Sequence, residues 1–198
     1  MSVRKPGFTI PLLVLAGLAV GNTAAGQLEG TVTATGMRHN GDAVVYIDTI
    51  DGKTFAPPEE PLVVDQVGME FVPHVLPVVA GSTVDFLNSD AFLHNVFTPD
   101  KCADKFNLGS WPKGQVRSFT FKQPCVAVLL CNVHPEMEAY VVAVPTPYFA
   151  VTDRTGAFTI KDVPDGTFTV KVWHKKLKEI SQEVTVAGET ALDLTLKK

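Results

Sequence analysis

The segment Val126-Ala-Val-Leu-Leu-Cys131-Asn-Val-His134-Pro-Glu-Met137 decides how this chain is read. Five apolar residues in a row form a strand-like run, and Asn132 and Pro135 turn the chain after it into a loop. Within seven residues that loop offers a thiol, an imidazole and a thioether in the spacing C-x2-H-x2-M. One Cys and two His around a metal, with a Met bound weakly on the axis, is the donor set of a blue-copper centre. A second histidine is therefore required. It has to come from a separate strand end, upstream, because one loop cannot place three equatorial ligands around one ion while its strands stay paired.

His94 meets that requirement. It sits in Val84-Asp-Phe-Leu-Asn-Ser-Asp-Ala-Phe-Leu-His94-Asn95-Val96-Phe97, which resembles the plastocyanin and amicyanin pattern V-x-F-x-N-x-D followed by H-N-V. The preceding Phe71-Val-Pro-His-Val-Leu-Pro-Val-Val-Ala-Gly81-Ser-Thr-Val84 resembles the cupredoxin opening, F-x-P and then a Gly-led strand. The resemblance runs through residues 62–144 in family order, and the tight C-x2-H-P-x-M loop is most similar to that of amicyanins. It implies one type 1 copper ion held by His94, Cys131, His134 and Met137, with Asn95 as the neighbour whose backbone donates to the ligand sulfur. The long Asp100 to Lys113 segment and the flanking sequence depart from the family, so its partner surface does not carry over.

Each ligand has a bland counterpart when taken alone: a buried Cys is usually a small hydrophobe, a Met is usually core, and a loop His is usually solvated. The four in family order favour the metal. Zinc competes for Cys and His, but its structural sites use several cysteines and rarely a thioether, so Met137 favours copper. His39, His74 and His174 read as surface or packing histidines, and a second copper site shared by His74 and His174 has no support.

Outward from this block the chain is a series of short β-type runs separated by turn residues, with no long segment of helical period, which predicts an all-β sandwich architecture. Asp51-Gly52, Ala80-Gly81, Lys113-Gly114, Thr155-Gly156 and Asp165-Gly166 supply the turns, and Asp100 to Lys113 reads as a long loop. Two proline-rich segments, Ala56 to Pro61 and Val144 to Pro147, bracket the copper block like linkers. Beyond them, Val151-Thr-Asp-Arg-Thr-Gly-Ala-Phe-Thr-Ile-Lys-Asp-Val-Pro-Asp-Gly-Thr-Phe168 resembles the latter half of the carboxypeptidase-regulatory-like, transthyretin-type sandwich. Opening strands of that kind, Gly30-Thr-Val-Thr and Ala43-Val-Val-Tyr-Ile, stand before residue 50. The expected organisation is thus a discontinuous outer sandwich, residues 27–58 and 146–198, with the cupredoxin domain, residues 59–145, inserted into it. Two domains in tandem, with the N-terminal hairpin in the copper domain, is the alternative.

The N-terminus carries Arg4 and Lys5, an apolar run from Phe8 to Val20 and the small residues Thr23-Ala-Ala-Gly26, the three parts of a secretory signal peptide over residues 1–25. A membrane anchor is the alternative, but the run is shorter than a spanning helix and is broken by Pro11 and Gly17. Export to a periplasmic compartment would allow a disulfide, and with Cys131 assigned to metal the other two cysteines, Cys102 and Cys125, make a pair. Two free thiols, or pairing across molecules, remain open. The 198 residues, 45% hydrophobic and 19% charged, can build one large or two small cores. A net charge of −4 argues against nucleic acid.

A site closed by four protein donors suits single-electron transfer to a redox partner protein and not catalysis, and no nucleophile motif such as G-x-S-x-G occurs. Phe92, Leu93 and Pro135 are candidates for an apolar docking patch around His134. Copper handling or storage, and a structural module that has kept a cupredoxin shape, are the competing readings.

Overall fold

The computed structural model describes Met1 and residues 25–198, so the expected signal segment, apart from its two ends, lies outside the described residues. Among the described residues the chain forms sixteen strands. The first two are β1 (Ala25–Ala34) and β2 (Val44–Ile47). The middle of the sequence supplies β3 (Leu62–Val67), β4 (Glu70–Val72), β5 (Val75–Val79), β6 (Thr83–Leu87), β7 (His94–Phe97), β8 (Asn107–Trp111), β9 (Val116–Thr120), β10 (Cys125–Leu130) and β11 (Glu138–Val144). The last five are β12 (Phe149–Val151), β13 (Ala157–Pro164), β14 (Gly166–His174), β15 (Leu177–Val186) and β16 (Glu189–Leu196). No helix among the described residues is long and apolar enough to cross a membrane.

These strands make four sheets, ordered β13-β1-β16, β12-β2-β14-β15, β5-β11-β10-β7-β8 and β4-β3-β6-β9. The first two sheets take their strands from the two ends of the sequence and face each other across one apolar core that includes Leu28, Val45, Phe158 and Leu194. The last two, from the middle of the sequence, enclose a second core that includes Phe86, Trp111, Leu129 and Val141. The fold is all-β, a cupredoxin-type sandwich beside a second, smaller one.

Side-chain alternation explains how the sandwiches join. Along β11, Ala139, Val141 and Ala143 enter the inner core, while the intervening Tyr140, Val142 and Val144 pack with Val44 and Tyr46 of β2 and Trp173 of β14. The strand is apolar on both faces because each face meets a different partner. In β2 the same division holds, with Val45 and Ile47 in the outer core. A third core therefore lies between the two inner sheets, and burying each Val there contributes about 1.5–3 kcal/mol.

The turn chemistry holds where it is most demanding. Gly156 has φ +97°, and a Cβ there would stand 2.3 Å from the Val32 carbonyl oxygen, so no other residue fits. One expectation needs correction. Asp100 to Lys113 is not a plain loop: a short 3-10 turn, Lys101–Ala103, is followed by β8, which adds to the edge of the five-stranded sheet through the pairs His94↔Trp111 and Asn95↔Ser110. Gly109 at φ +75° interrupts the alternation that would have revealed it.

The site's position is set by the five-stranded sheet. β7 starts at His94, and its antiparallel neighbour β10 ends one residue before Cys131. β11 begins at Glu138, one residue after Met137. All four expected ligands therefore stand at one end of one rigid sheet, the arrangement in which loops hold functional groups most accurately.

Candidate metal centre

His94, Cys131 and His134 come together: one donor atom from each lies within 4.8 Å of the others. Among the described residues this is the group of His, Cys, Asp and Glu side chains able to hold a metal ion. The two imidazoles approach edge to face, centroids 4.8 Å apart, and their Nδ1 atoms are 3.1 Å apart. His94 is fully buried, Cys131 is 3% exposed and Met137 1% exposed, whereas His134 keeps partial contact with solvent. The loop is closed by a turn in which the Met137 backbone N–H donates to the His134 carbonyl oxygen at 3.0 Å.

Asn95 follows His94 at the start of β7. Its backbone N–H points at the Cys131 sulfur, 3.5 Å away, a contact that holds the side chain in place. Its side chain is also used: Nδ2 donates to Asn107 Oδ1 at 2.9 Å and to the Gly109 carbonyl at 2.7 Å. Its Oδ1 accepts the backbone N–H of Asn132 at 3.3 Å. One residue therefore binds β8, β7 and the ligand loop together.

Sequence reasoning missed Asp90. Its Oδ2 lies 2.8 Å from His94 Nε2, and the carboxylate also accepts the backbone N–H groups of Gly68 and Met69 at 2.7 and 2.9 Å. Burial pushes its pKa up, but the N–H groups of Met69 and Gly68 together with His94 outweigh that, and the carboxyl is held below its ordinary value. The spacing D-x3-H was the signal, weak because Asp90 sits among loop-forming residues.

The donor set fits copper. Two imidazoles and a cysteine sulfur converge in a largely buried site with a peptide N–H on the sulfur, and a thioether closes the same loop. The other histidines stay outside it. His74 lines a cleft of about 520 Å³ between the sandwiches, where Lys175 Nζ donates to its Nε2 at 2.8 Å. His174 is buried against the outer sandwich and accepts the Lys176 N–H at Nδ1, 3.2 Å. His39 accepts the Gly41 N–H at 3.1 Å. The expected docking residues are at the surface: Phe92 is 58% and Leu93 53% exposed, and Pro135 is exposed, as is Val133, so they are not core. Of the expected Cys102–Cys125 bond, the Cys102 side chain lies outside the described residues, and Cys125 opens β10 half-buried.

Comparison with known proteins places these features beside others. The family described as polysaccharide lyase family 4, domain II, matches residues 145–192, within the outer sandwich. No curated protein matches the chain. Among solved structures, a reduced amicyanin variant shares 28% identity over 50% of this chain and 97% of its own, with a TM-score of 0.40. A copper-containing nitrite reductase from Thermus scotoductus shares 25% identity over 50% of this chain, TM-score 0.42, and the match spans only 25% of that enzyme. A purple cupredoxin from Nitrosopumilus maritimus shares 20% identity over 41% of this chain and 98% of its own, TM-score 0.38.

Proposed function

We propose that this chain is an exported type 1 copper protein that carries single electrons between redox partners. The observation that carries the reading is the convergence of His94, Cys131 and His134 within 4.8 Å at one end of the five-stranded sheet. His94, Cys131 and His134 would hold the ion, with Met137 as the weak fourth donor. Copper bound there supplies a one-electron couple.

The protein's part is to keep the donors still. His94 has its second ring nitrogen engaged by Asp90, the Cys131 sulfur is capped by the Asn95 N–H, and the His134–Met137 turn is closed by a backbone bond. Groups held this way move little when the charge at the site changes, which keeps the cost of electron transfer low. Three of the four donors are at most 3% exposed, and that burial supports a carrier over an enzyme. Of the four, only His134 reaches the surface, and exposed apolar residues next to two of the donors in sequence, Phe92 and Leu93 before His94 and Val133 and Pro135 either side of His134, suit the small interfaces of transient redox complexes.

Export is part of the proposal. The signal-like N-terminus sends the mature chain to an oxidising, periplasmic-type compartment, where Cys102 and Cys125 pair and the outer sandwich, residues 27–58 and 146–198, brackets the copper domain, residues 59–145. Asp100, at the foot of the Cys102 turn, already accepts the Val128 N–H of β10 at 2.8 Å, so the bond would reinforce an existing contact. Voltammetry of the copper-loaded mature protein tests the function: a reversible one-electron wave with fast self-exchange is expected. Rapid loss of Cu(I) to an acceptor chelator without such a wave would move the reading to copper handling.

A further inference from the structure

Asp90 is not one of the copper donors, yet its carboxylate is among the most constrained in the molecule. A carboxylate only accepts hydrogen bonds, so the His94 nitrogen 2.8 Å away is the donor of that bond, and in the neutral ring Nδ1 is then the bare atom. That bare atom is the one facing His134 Nδ1.

The carboxylate cannot easily turn away. Gly68 and Met69, at φ +66° and +61°, form the tip between β3 and β4, and this conformation aims two successive N–H groups at Asp90. On its own loop, the Asn88 side chain accepts the Asp90 N–H at 3.0 Å and donates to the Phe92 and Trp111 carbonyls, both at 2.8 Å. Keeping a charged group 12% exposed has a desolvation cost, which the Gly68 and Met69 N–H groups and the His94 ring offset. The cost falls when a cation on the far nitrogen polarises the N–H, which is the situation a metal ligand creates.

We propose that Asp90 is a positioning residue of the copper centre: it fixes the His94 tautomer, ties that ring to the Gly68–Met69 tip, and favours the oxidised ion. The proposal rests on the copper reading above. A negative charge hydrogen-bonded to a ligand stabilises Cu(II) more than Cu(I), so Asp90 lowers the reduction potential and its neutralisation raises it.

The test compares wild type, Asp90→Asn and Asp90→Ala with Asp65→Asn, which removes a carboxylate from the same loop network, where Asp65 accepts the Ser89 hydroxyl. Three readouts are used: the His94 ring nitrogen shifts in metal-free protein, copper affinity by chelator competition, and the potential. Expected are an Nε2-protonated His94 in wild type and in Asp90→Asn, whose amide oxygen accepts the same N–H, but not in Asp90→Ala, an affinity about 10–100-fold weaker in Asp90→Ala, and a potential raised more by Asp90→Asn than by Asp65→Asn. Variants that lose stability but keep the tautomer, the affinity and the potential would overturn the proposal, as would equal rises in Asp90→Asn and Asp65→Asn. A wild-type protein without a thiolate-to-copper band would instead overturn the copper reading, and the proposal with it.

Discussion

The two sandwiches are built from the same kind of strand, but they bury different things. In the inner one, Gln66, Asn88, His94 and Asn95 are at most 2% exposed. In the outer one the buried polar residues are Thr146, 1% exposed, and Thr152 and His174, each 4% exposed, and all three serve the backbone: Thr146 bonds Ile47, Thr152 bonds Ala43 and Asn40, and His174 bonds Lys176. Burying a polar side chain costs free energy unless every bond is recovered, so apolar packing is the cheaper solution wherever nothing else is asked of the core. The outer sandwich takes that solution. The inner one departs from it where the candidate donors stand, and the difference separates scaffold from site.

The largest expected effects are in the cores. Phe86→Ala in the inner core and Phe158→Ala in the outer one should each cost about 3–5 kcal/mol by denaturant titration. Only Phe86→Ala is expected to alter the absorption of the copper-loaded protein. An altered spectrum in Phe158→Ala would break the comparison, since the outer core would then be shaping the site.

A sharper pair is Asn95→Ala against Thr152→Ala. Both delete side-chain bonds to backbone groups, and each stranded buried group costs about 1–3 kcal/mol. Asn95→Ala keeps the N–H on the Cys131 sulfur but releases the ligand loop from β8, so its copper band should shift; Thr152→Ala should leave the band where it is. Identical spectra for the two would mean that the Asn95 side chain is structural only.

The smallest effect concerns His174. Burial lowers its pKa; Asp42 opposes this, and Lys175, His39 and Lys176 add to the lowering. The folded state therefore binds fewer protons than the unfolded state below the unperturbed value of about 6.5. Its contribution is intact above that pH and is lost as pH falls through the folded pKa, with a slope of at most about 1.4 kcal/mol per pH unit. His174→Gln should flatten the stability profile between pH 7 and 5. A profile as steep as wild type would assign the acid sensitivity to other groups.

Much of this was legible in the sequence, for identifiable reasons. The outer strands alternate cleanly, as Ala191-Leu-Asp-Leu-Thr-Leu196 does with Leu192, Leu194 and Leu196 buried, and the loop from Cys131 to Met137 carries three donor types within seven residues. The elements that stayed hidden lacked a periodic signal. β7 is His94-Asn-Val-Phe97, whose first three residues are all buried, so a strand whose polar members serve the site looks like a loop. β8 is broken by Gly109, and β12 is three residues long. The run Ala139 to Val144 announces burial but cannot say that a second sandwich covers one face. Asp90 acts through a ring in a loop, where spacing carries little information.

The most direct measurement is the visible absorption of the mature protein, residues 27–198, titrated with Cu(II) beside Cys131→Ser. The account predicts an intense thiolate-to-copper band that saturates at one equivalent and is lost in Cys131→Ser. A wild-type protein that binds no Cu(II), or binds it without that band, would contradict it.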